Sequence, residues 1–74
     1  MDRYNVNVAV GEIIRKFREG RNMSQDEFAS LCGISTAYYG RIERGEHSMT
    51  LDKCQKIASA LNVRVADLFA DLQE

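Results

Sequence analysis

Thiol and imidazole groups are the most reactive side chains in this sequence, and they are few. Cys32 and Cys54 lie 22 residues apart without a CxxC pair, and His47 is the only histidine. This spacing does not match a metal site. No Ser/His/Asp or Cys/His arrangement, paired carboxylate site or phosphate-cradling glycine loop can be assembled either. We therefore expect neither an enzyme, nor a bound metal, nor a cofactor.

The elements that position the remaining polar residues are expected to be helices of one small domain. The chain has 74 residues, of which 45% are hydrophobic and 28% charged, as in globular proteins. It contains no proline and five glycines, which disfavours a turn-rich sheet and favours an all-α fold. Its apolar runs reach only three residues, as at residues 8–10. We expect a cytoplasmic protein with reduced thiols and no membrane segment.

Apolar residues at helical spacing predict the first helix. They recur along one stripe that ends before Gly20 and Asn22, residue types that tolerate a left-handed cap. Residues 1–6 are expected to form a flexible arm, and residues 7–74 a single domain. The stripe consists of Val6, Val10, Ile13, Ile14 and Phe17.

Capping signals predict two short helices in the middle of the chain. Ser24 and Glu27 form a capping box, and Gly33 can take the positive φ that ends a helix. Ser35 is the next N-cap, and Gly45 is the next C-terminal cap. The inner positions of this pair are expected to be Phe28, Ala29, Leu31, Cys32, Ile34, Tyr39 and Ile42.

Two further helices are expected to complete a compact five-helix bundle. Thr50 caps a fourth helix that ends at Asn62, with inner positions starting at Leu51. The last helix covers about residues 64–72, and its cap is poor because Arg64 stands where serine would be better. Its apolar residues are Val65, Leu68, Phe69 and Leu72.

The two short helices in the middle of the chain meet the requirements of a helix-turn-helix. Ala29 is a small residue where the two helices would cross, and Gly33 is a glycine at the turn between them. The segments SQDEFA at residues 24–29, CGIS at 32–35 and YYGRIERG at 38–45 resemble the Xre family of helix-turn-helix regulators, the class of lambda and 434 repressors and Cro. The resemblance covers about residues 7–70 and implies a lambda repressor-like domain that binds double-stranded DNA. The compact size is similar to that of restriction–modification controller proteins and of small phage or plasmid repressors.

By this resemblance, residues 35–44 form the recognition helix. Arg41 would read a base, because a guanidinium can bond guanine O6 and N7 together. A phosphate contact is expected from the side-chain amide of Gln25, at the start of the preceding helix. Further phosphate contacts are expected from Tyr38 and Arg44, with Arg21 as another candidate. The expected DNA-binding residues are Gln25, Ser35, Thr36, Ala37, Tyr38, Arg41 and Arg44.

Other positions match or depart from the family pattern. Arg18 and Glu43 match an ion pair that links the first helix to the recognition helix. Tyr39 stands where Ile, Leu or Val is usual. Gly40 stands in mid-helix, where glycine costs ~1 kcal/mol relative to alanine.

The apolar stripe of the last helix favours a homodimer, with Val65, Phe69 and Leu72 at the interface. Two recognition helices about 34 Å apart would then read a pseudo-palindromic operator, most simply as a repressor. Asp26 and Glu27 match positions from which some relatives contact RNA polymerase, which leaves an activator open. The alternative is a protein-interaction module, such as an antitoxin or bridging factor, but two arginines on the recognition helix favour DNA.

The net charge of −1 taken alone argues mildly against nucleic acid. Residues 1–44 hold seven Lys or Arg against six Asp or Glu, and residues 45–74 hold three against five. The acid excess therefore lies away from the expected DNA surface. We expect few phosphate contacts and modest nonspecific affinity, so that binding depends on dimerisation and base readout.

Overall fold

The computed structural model describes residues 5–70 and Leu72. Within that part of the chain there are five helices and no strands, which confirms the all-α, five-helix expectation. None of these helices has both the length and the hydropathy needed to cross a bilayer. In chain order they are α1 (Val6–Gly20), α2 (Gln25–Cys32), α3 (Thr36–Glu43), α4 (Leu51–Leu61) and α5 (Val65–Leu68).

Helix α1 begins within the segment expected to be an arm. The side chain of Asn5 accepts hydrogen bonds from the backbone N–H of Asn7 at 3.0 Å and of Val8 at 3.2 Å. Asn5 is therefore the N-cap, and Val6 is the first helical residue. These two residues belong to the folded part of the chain, and the rest of the expected arm, residues 1–4, lies outside the described residues.

The predicted caps of α2, α3 and α4 are confirmed. Ser24 Oγ accepts from the Glu27 N–H at 3.1 Å, and Glu27 Oε1 accepts from the Ser24 N–H at 2.8 Å. Ser35 and Thr50 each accept from the backbone N–H three residues later, both at 3.2 Å. Gly33 ends α2 with a φ of 74°. Each of these caps joins residues at most four apart, so the helix boundaries are set locally.

The core forms where α3 packs against α1 and α2, and where α4 packs against α2 and α5. At its centre the rings of Phe28 and Tyr39 meet edge-on, with centroids 5.3 Å apart. The largest fully buried side chains are Tyr39, Phe28, Ile14, Ile42, Ile57, Leu61 and Leu68.

Three apolar residues predicted to face the core are exposed instead, so these predictions were wrong. Val6 is 48% exposed, Leu31 is 57% exposed and Leu51 is 82% exposed. Val6 and Leu51 are the first residues of their helices, and helical side chains lean toward a preceding turn that neither residue has. Helix α2 buries only three residues, a narrower stripe than its pattern suggests. Spacing gives the direction of a side chain, but not whether another element lies there.

Helix α5 is shorter than predicted. Its single turn covers Val65–Leu68, whereas the pattern predicts a helix as far as about residue 72. Asp67 caps its start by accepting from the backbone N–H of Arg64 at 2.9 Å. The N–H groups of Phe69 and Leu72 bond to carbonyls three residues back, at 3.2 and 3.1 Å, which is the pattern of tight turns and not of an α-helix.

Two glycines allow α1 and the end of α3 to meet backbone to backbone. A Cβ atom on Gly11 would lie 2.6 Å from the Glu43 carbonyl oxygen, and closer still to that of Ile42. Gly45 has a φ of 77°, and a Cβ there would lie 2.7 Å from Val8 Cα. The C-terminal end of α3 is therefore seated directly on α1, which fixes the direction in which α3 points.

Candidate nucleic-acid interface

One side of α3 is open to solvent. Its opposite side is buried against α1 and α2, so the helix is held from behind. A helix held in this way can enter a DNA major groove with its free side. Tyr38 is half-buried at the edge of this free side. We call the free side the outer face and define it by its exposed residues, which are Ser35, Thr36, Ala37, Arg41 and Arg44.

Glu43 is the polar centre of the buried side. Its side chain is only 3% exposed, and its carboxylate accepts four hydrogen bonds from three residues. Arg18 donates from Nε at 2.6 Å and from Nη2 at 3.1 Å. Gln25 donates from Nε2 at 2.9 Å, and the Tyr39 hydroxyl donates to Oε2. The structure thus brings Arg18 and Glu43 together in a bidentate ion pair that ties α1 to α3.

The groups of this network stabilise one another's charge states. Burial alone would raise the pKa of Glu43, but the hydrogen bonds from Arg18, Tyr39 and Gln25 outweigh burial and hold that pKa below its ordinary value. The hydrogen bond to Glu43 is the main cause that raises the pKa of Arg18. Burial is the main cause that raises the pKa of Tyr39, and the hydrogen bond to the Glu43 carboxylate is the second. At neutral pH the network is therefore an ionised pair with a neutral phenol as a further donor.

Sequence reasoning missed the roles of Tyr39 and Gln25 in this network. Tyr39 was expected only as a core residue of unusual type, yet its hydroxyl reaches the Glu43 carboxylate. The signal was present in the sequence, because residues four apart lie on the same helix face. Gln25 was expected to bond a phosphate, but its Nε2 already donates to Glu43 and its side chain is half-buried.

At the N-terminal end of the outer face, the hydroxyl groups are used within the chain. Ser35 Oγ caps α3, and Thr36 Oγ1 donates to Asp26 Oδ1 at 2.6 Å. The second bond fastens the start of α3 to α2. The Ala37 side chain is exposed beside them. Both hydroxyl groups at this end of the surface thus already make a hydrogen bond within the chain.

At the C-terminal end of the outer face lie the two arginines. Arg41 Nη1 is 3.4 Å from His47 Nε2. Arg44 donates to the Glu46 carboxylate from Nε at 2.9 Å and from Nη2 at 3.3 Å, and these two side chains are 56% and 55% exposed. The hydrogen bond from Arg44 is the main cause that lowers the pKa of Glu46. Both partners come from the segment that directly follows α3.

Tyr38 extends this surface toward α4, whereas Arg21 points elsewhere. Lys53 Nζ lies 5.8 Å from the centroid of the Tyr38 ring, within range of a cation–π contact, and the His47 ring centroid lies 5.4 Å from it. Arg21, the further candidate for a phosphate contact, donates from Nη2 to the Leu61 carbonyl at 2.9 Å. Its guanidinium joins the end of α1 to the end of α4.

Both cysteines are free and buried, as their inner-face positions predict. Burial raises the pKa of the Cys32 thiol to about 11 and also raises that of Cys54. Both side chains are therefore neutral thiols at physiological pH, and they pack as small apolar groups.

A short helix pair with a fixed inner side and an exposed second helix is the architecture of a helix-turn-helix DNA-binding protein. Residues 14–68 match the helix-turn-helix family HTH_3, and the chain belongs to this family. The resemblance to Xre-type regulators is thereby confirmed, and the protein is a DNA-binding transcription regulator.

Several similar proteins are control proteins of comparable length. The chain is 28% identical over 71 residues to the control protein C.MunI of Mycoplasma sp, an alignment that covers 95% of this chain and 96% of that protein. It is 37% identical over 65 residues to the control protein C.BamHI of Bacillus amyloliquefaciens, covering 86% and 80%. The crystal structure of the restriction-modification controller protein C.AhdI from Aeromonas hydrophila aligns with a TM-score of 0.85 at 33% identity, covering 89% of this chain and 100% of that chain.

Proposed function

We propose that the protein is a homodimeric repressor that acts in the cytoplasm and binds a pseudo-palindromic operator through residues 35–44. The observation that carries this proposal is the outer face of α3, where Arg41 is exposed on a helix whose other side is buried. A guanidinium in such a position can bond guanine O6 and N7 together and discriminate between bases by ~1–3 kcal/mol.

The residues around Arg41 have supporting roles in this proposal. Thr36 and Ala37 are exposed residues that carry methyl groups suited to contact with the methyl group of thymine. Tyr38 and Arg44 are assigned to phosphates. Gln25 is the first residue of α2, where free backbone N–H groups and the helix dipole favour a phosphate. Phosphate contacts set the position of α3 in the groove, while base contacts set the sequence.

A second copy of the chain would supply the second recognition helix. Val65, Phe69 and Leu72 pack against the core but are only half-buried, so each keeps apolar surface for a partner. Phe69 also lines an open cavity of about 190 Å³ together with the exposed Val6, which continues this apolar surface onto α1. A dimer through this surface would read two half-sites, whereas one recognition helix reads only a few base pairs.

Repression is the simplest form of this proposal, and the two acidic residues that match polymerase-contacting positions have structural contacts of their own. Asp26 accepts a hydrogen bond from Thr36, and Glu27 completes the capping box of α2. One oxygen of each carboxylate is therefore engaged within the chain, which gives both residues a role that does not require RNA polymerase. The similarity to control proteins supports a role in regulating restriction–modification genes.

Two measurements on the unmodified chain test this proposal. Selection from a pool of random DNA duplexes should enrich a pseudo-palindrome whose half-sites are centred about 10 base pairs, or a multiple, apart. Sedimentation equilibrium should give twice the chain mass of 8.4 kDa. A pool without enrichment would instead favour the protein-interaction module, and the mass of a single chain would remove the homodimer.

A further inference from the structure

Glu46 is an acidic residue in the midst of the cationic groups of the proposed DNA surface. Its carboxylate accepts from Arg44 at 2.9 and 3.3 Å. That contact is the main reason its pKa is lowered, and the charges of Arg41 and His47 lower it further. The Glu46 carboxylate therefore lies beside Arg44 and close to Arg41 and His47.

The geometry of the pair resembles that of an arginine on a phosphate. A guanidinium binds a carboxylate or a phosphate through two parallel N–H···O bonds, so the two anions compete for the same donors. Arg44 Nε and Nη2 are both directed to Glu46. A DNA phosphate can receive these donors only if it displaces the Glu46 carboxylate. Because both side chains are more than half exposed, the exchange requires no change in the fold.

We propose that Glu46 competes with DNA phosphate for Arg44 and thereby lowers the affinity of the protein for duplex DNA. This inference rests on the proposed function. Binding without sequence preference depends on phosphate contacts alone, and Glu46 weakens it by occupying one of the arginines that make them. Binding to the operator also uses Arg44 on a phosphate, so it is weakened by the same factor. The base contact of Arg41 still separates the operator from other duplexes, while Glu46 lowers both affinities together.

The test compares Glu46→Gln with Glu12→Gln, which removes the same charge from an exposed position on α1. Binding to a mixed-sequence duplex is measured between 50 and 200 mM salt. Glu46→Gln should bind more tightly than the unmodified chain. In the unmodified chain the phosphate displaces the Glu46 carboxylate from Arg44, and the freed carboxylate then takes up a cation from solution. The variant has no carboxylate to displace. One net phosphate contact changes the slope of the logarithm of the binding constant against the logarithm of salt concentration by about 0.9. The ratio of variant to unmodified binding constants should therefore fall about 3.5-fold between 50 and 200 mM salt. On the selected operator the gain should be of similar size, because Arg44 is assigned to a phosphate there as well.

The same change made in an Arg44→Gln chain separates competition from general charge. If Glu46 acts through Arg44, Glu46→Gln should then give no more than the gain seen with Glu12→Gln. Three outcomes would overturn the inference. Glu46→Gln could raise the affinity fully in the Arg44→Gln chain, Glu12→Gln could raise it as much as Glu46→Gln does, or Glu46→Gln could leave it unchanged. If the unmodified chain selects an operator but Glu46→Gln changes nothing, only this inference fails. If neither chain binds any duplex, the proposed function fails with it.

Discussion

Two arginine–carboxylate pairs of the same chemistry meet helix α3 at its C-terminal end. Arg18 and Glu43 are buried, and each also bonds other groups: Arg18 donates to the Met23 carbonyl at 2.7 Å, and Glu43 accepts from two further residues. Arg44 and Glu46 are exposed and bond each other. Removing one partner of a buried pair leaves a charge without compensation, whereas an exposed pair is screened by water and salt. Burial, not chemical type, makes the first pair structural and leaves the second free to exchange partners.

The largest effect is expected from Glu43→Ala. The variant leaves Nε and Nη2 of the largely buried Arg18 and the Tyr39 hydroxyl without their acceptor, so the free energy of unfolding should fall by about 3–5 kcal/mol in urea titrations. The matched control is Glu46→Ala on the exposed pair, which should leave the urea midpoint unchanged. Equal losses from both variants would contradict the distinction between the pairs.

The same carboxylate predicts how stability depends on pH. The pKa of Glu43 is lower in the folded chain than in the unfolded chain, so its stabilising contribution is complete above the ordinary glutamate pKa of about 4.3. That contribution is lost as the pH falls through the lower folded-state pKa. Urea midpoints measured from pH 7 downward should therefore decline below about pH 4.3. Glu43→Ala should show a smaller decline over the same range.

A smaller loss is expected from Gly11→Ala, which tests the close contact between α1 and α3. The new Cβ would lie 2.6 Å from the Glu43 carbonyl oxygen, and backbone cannot move aside as a flexible side chain can. The free energy of unfolding should fall by about 1–3 kcal/mol. Gly20→Ala is the control, because no atom lies within 4 Å of its added Cβ. A Gly11→Ala chain as stable as the control would show that α1 is not seated on α3.

On the exposed side, Arg41→Ala should separate binding from stability. The free energy of unfolding should stay within about 0.5 kcal/mol of the unmodified value. Binding to the selected operator should weaken by ~1–3 kcal/mol, with a much smaller change on mixed-sequence duplexes. Lys56→Ala on α4 is the control for loss of one positive charge. If Arg41→Ala weakened binding to all duplexes equally, Arg41 would be a phosphate contact.

The smallest effect is expected at Gly40, which lies between the two pairs. A Cβ there would lie 3.2 Å from Arg44 Nη1 and 3.6 Å from Gln25 Oε1. The nearer atom is the end of a flexible, exposed side chain and can move. Gly40→Ala should therefore raise the free energy of unfolding by up to ~1 kcal/mol through helix propensity. A loss of stability in urea titrations would show that the glycine is required by its neighbours.

Much of the fold could be predicted because its signals are local. Ser24, Ser35 and Thr50 each bond the backbone three residues later, and Gly33 ends α2 with a positive φ. Such caps depend on the residues next to them, so residue type and spacing identify them. The outer-face residues were expected from the resemblance to Xre-type regulators, which directs these positions of the recognition helix at DNA. Without a local signal, the end of α5 was misplaced.

The sequence by itself determined the starts of α2, α3 and α4 and the turn between α2 and α3. Its resemblance to Xre-type regulators indicated which residues of α3 face outward. Only the tertiary structure decided that Gly11 receives the end of α3, that Gln25 and Tyr39 serve Glu43, and that Leu51 is exposed. The Gln25–Glu43 and Arg18–Glu43 contacts join residues 18 and 25 positions apart. At such separations the distance between two side chains depends on how closely their helices approach each other. A periodic pattern specifies the direction of a side chain on its own helix, but not which residue of another helix it meets.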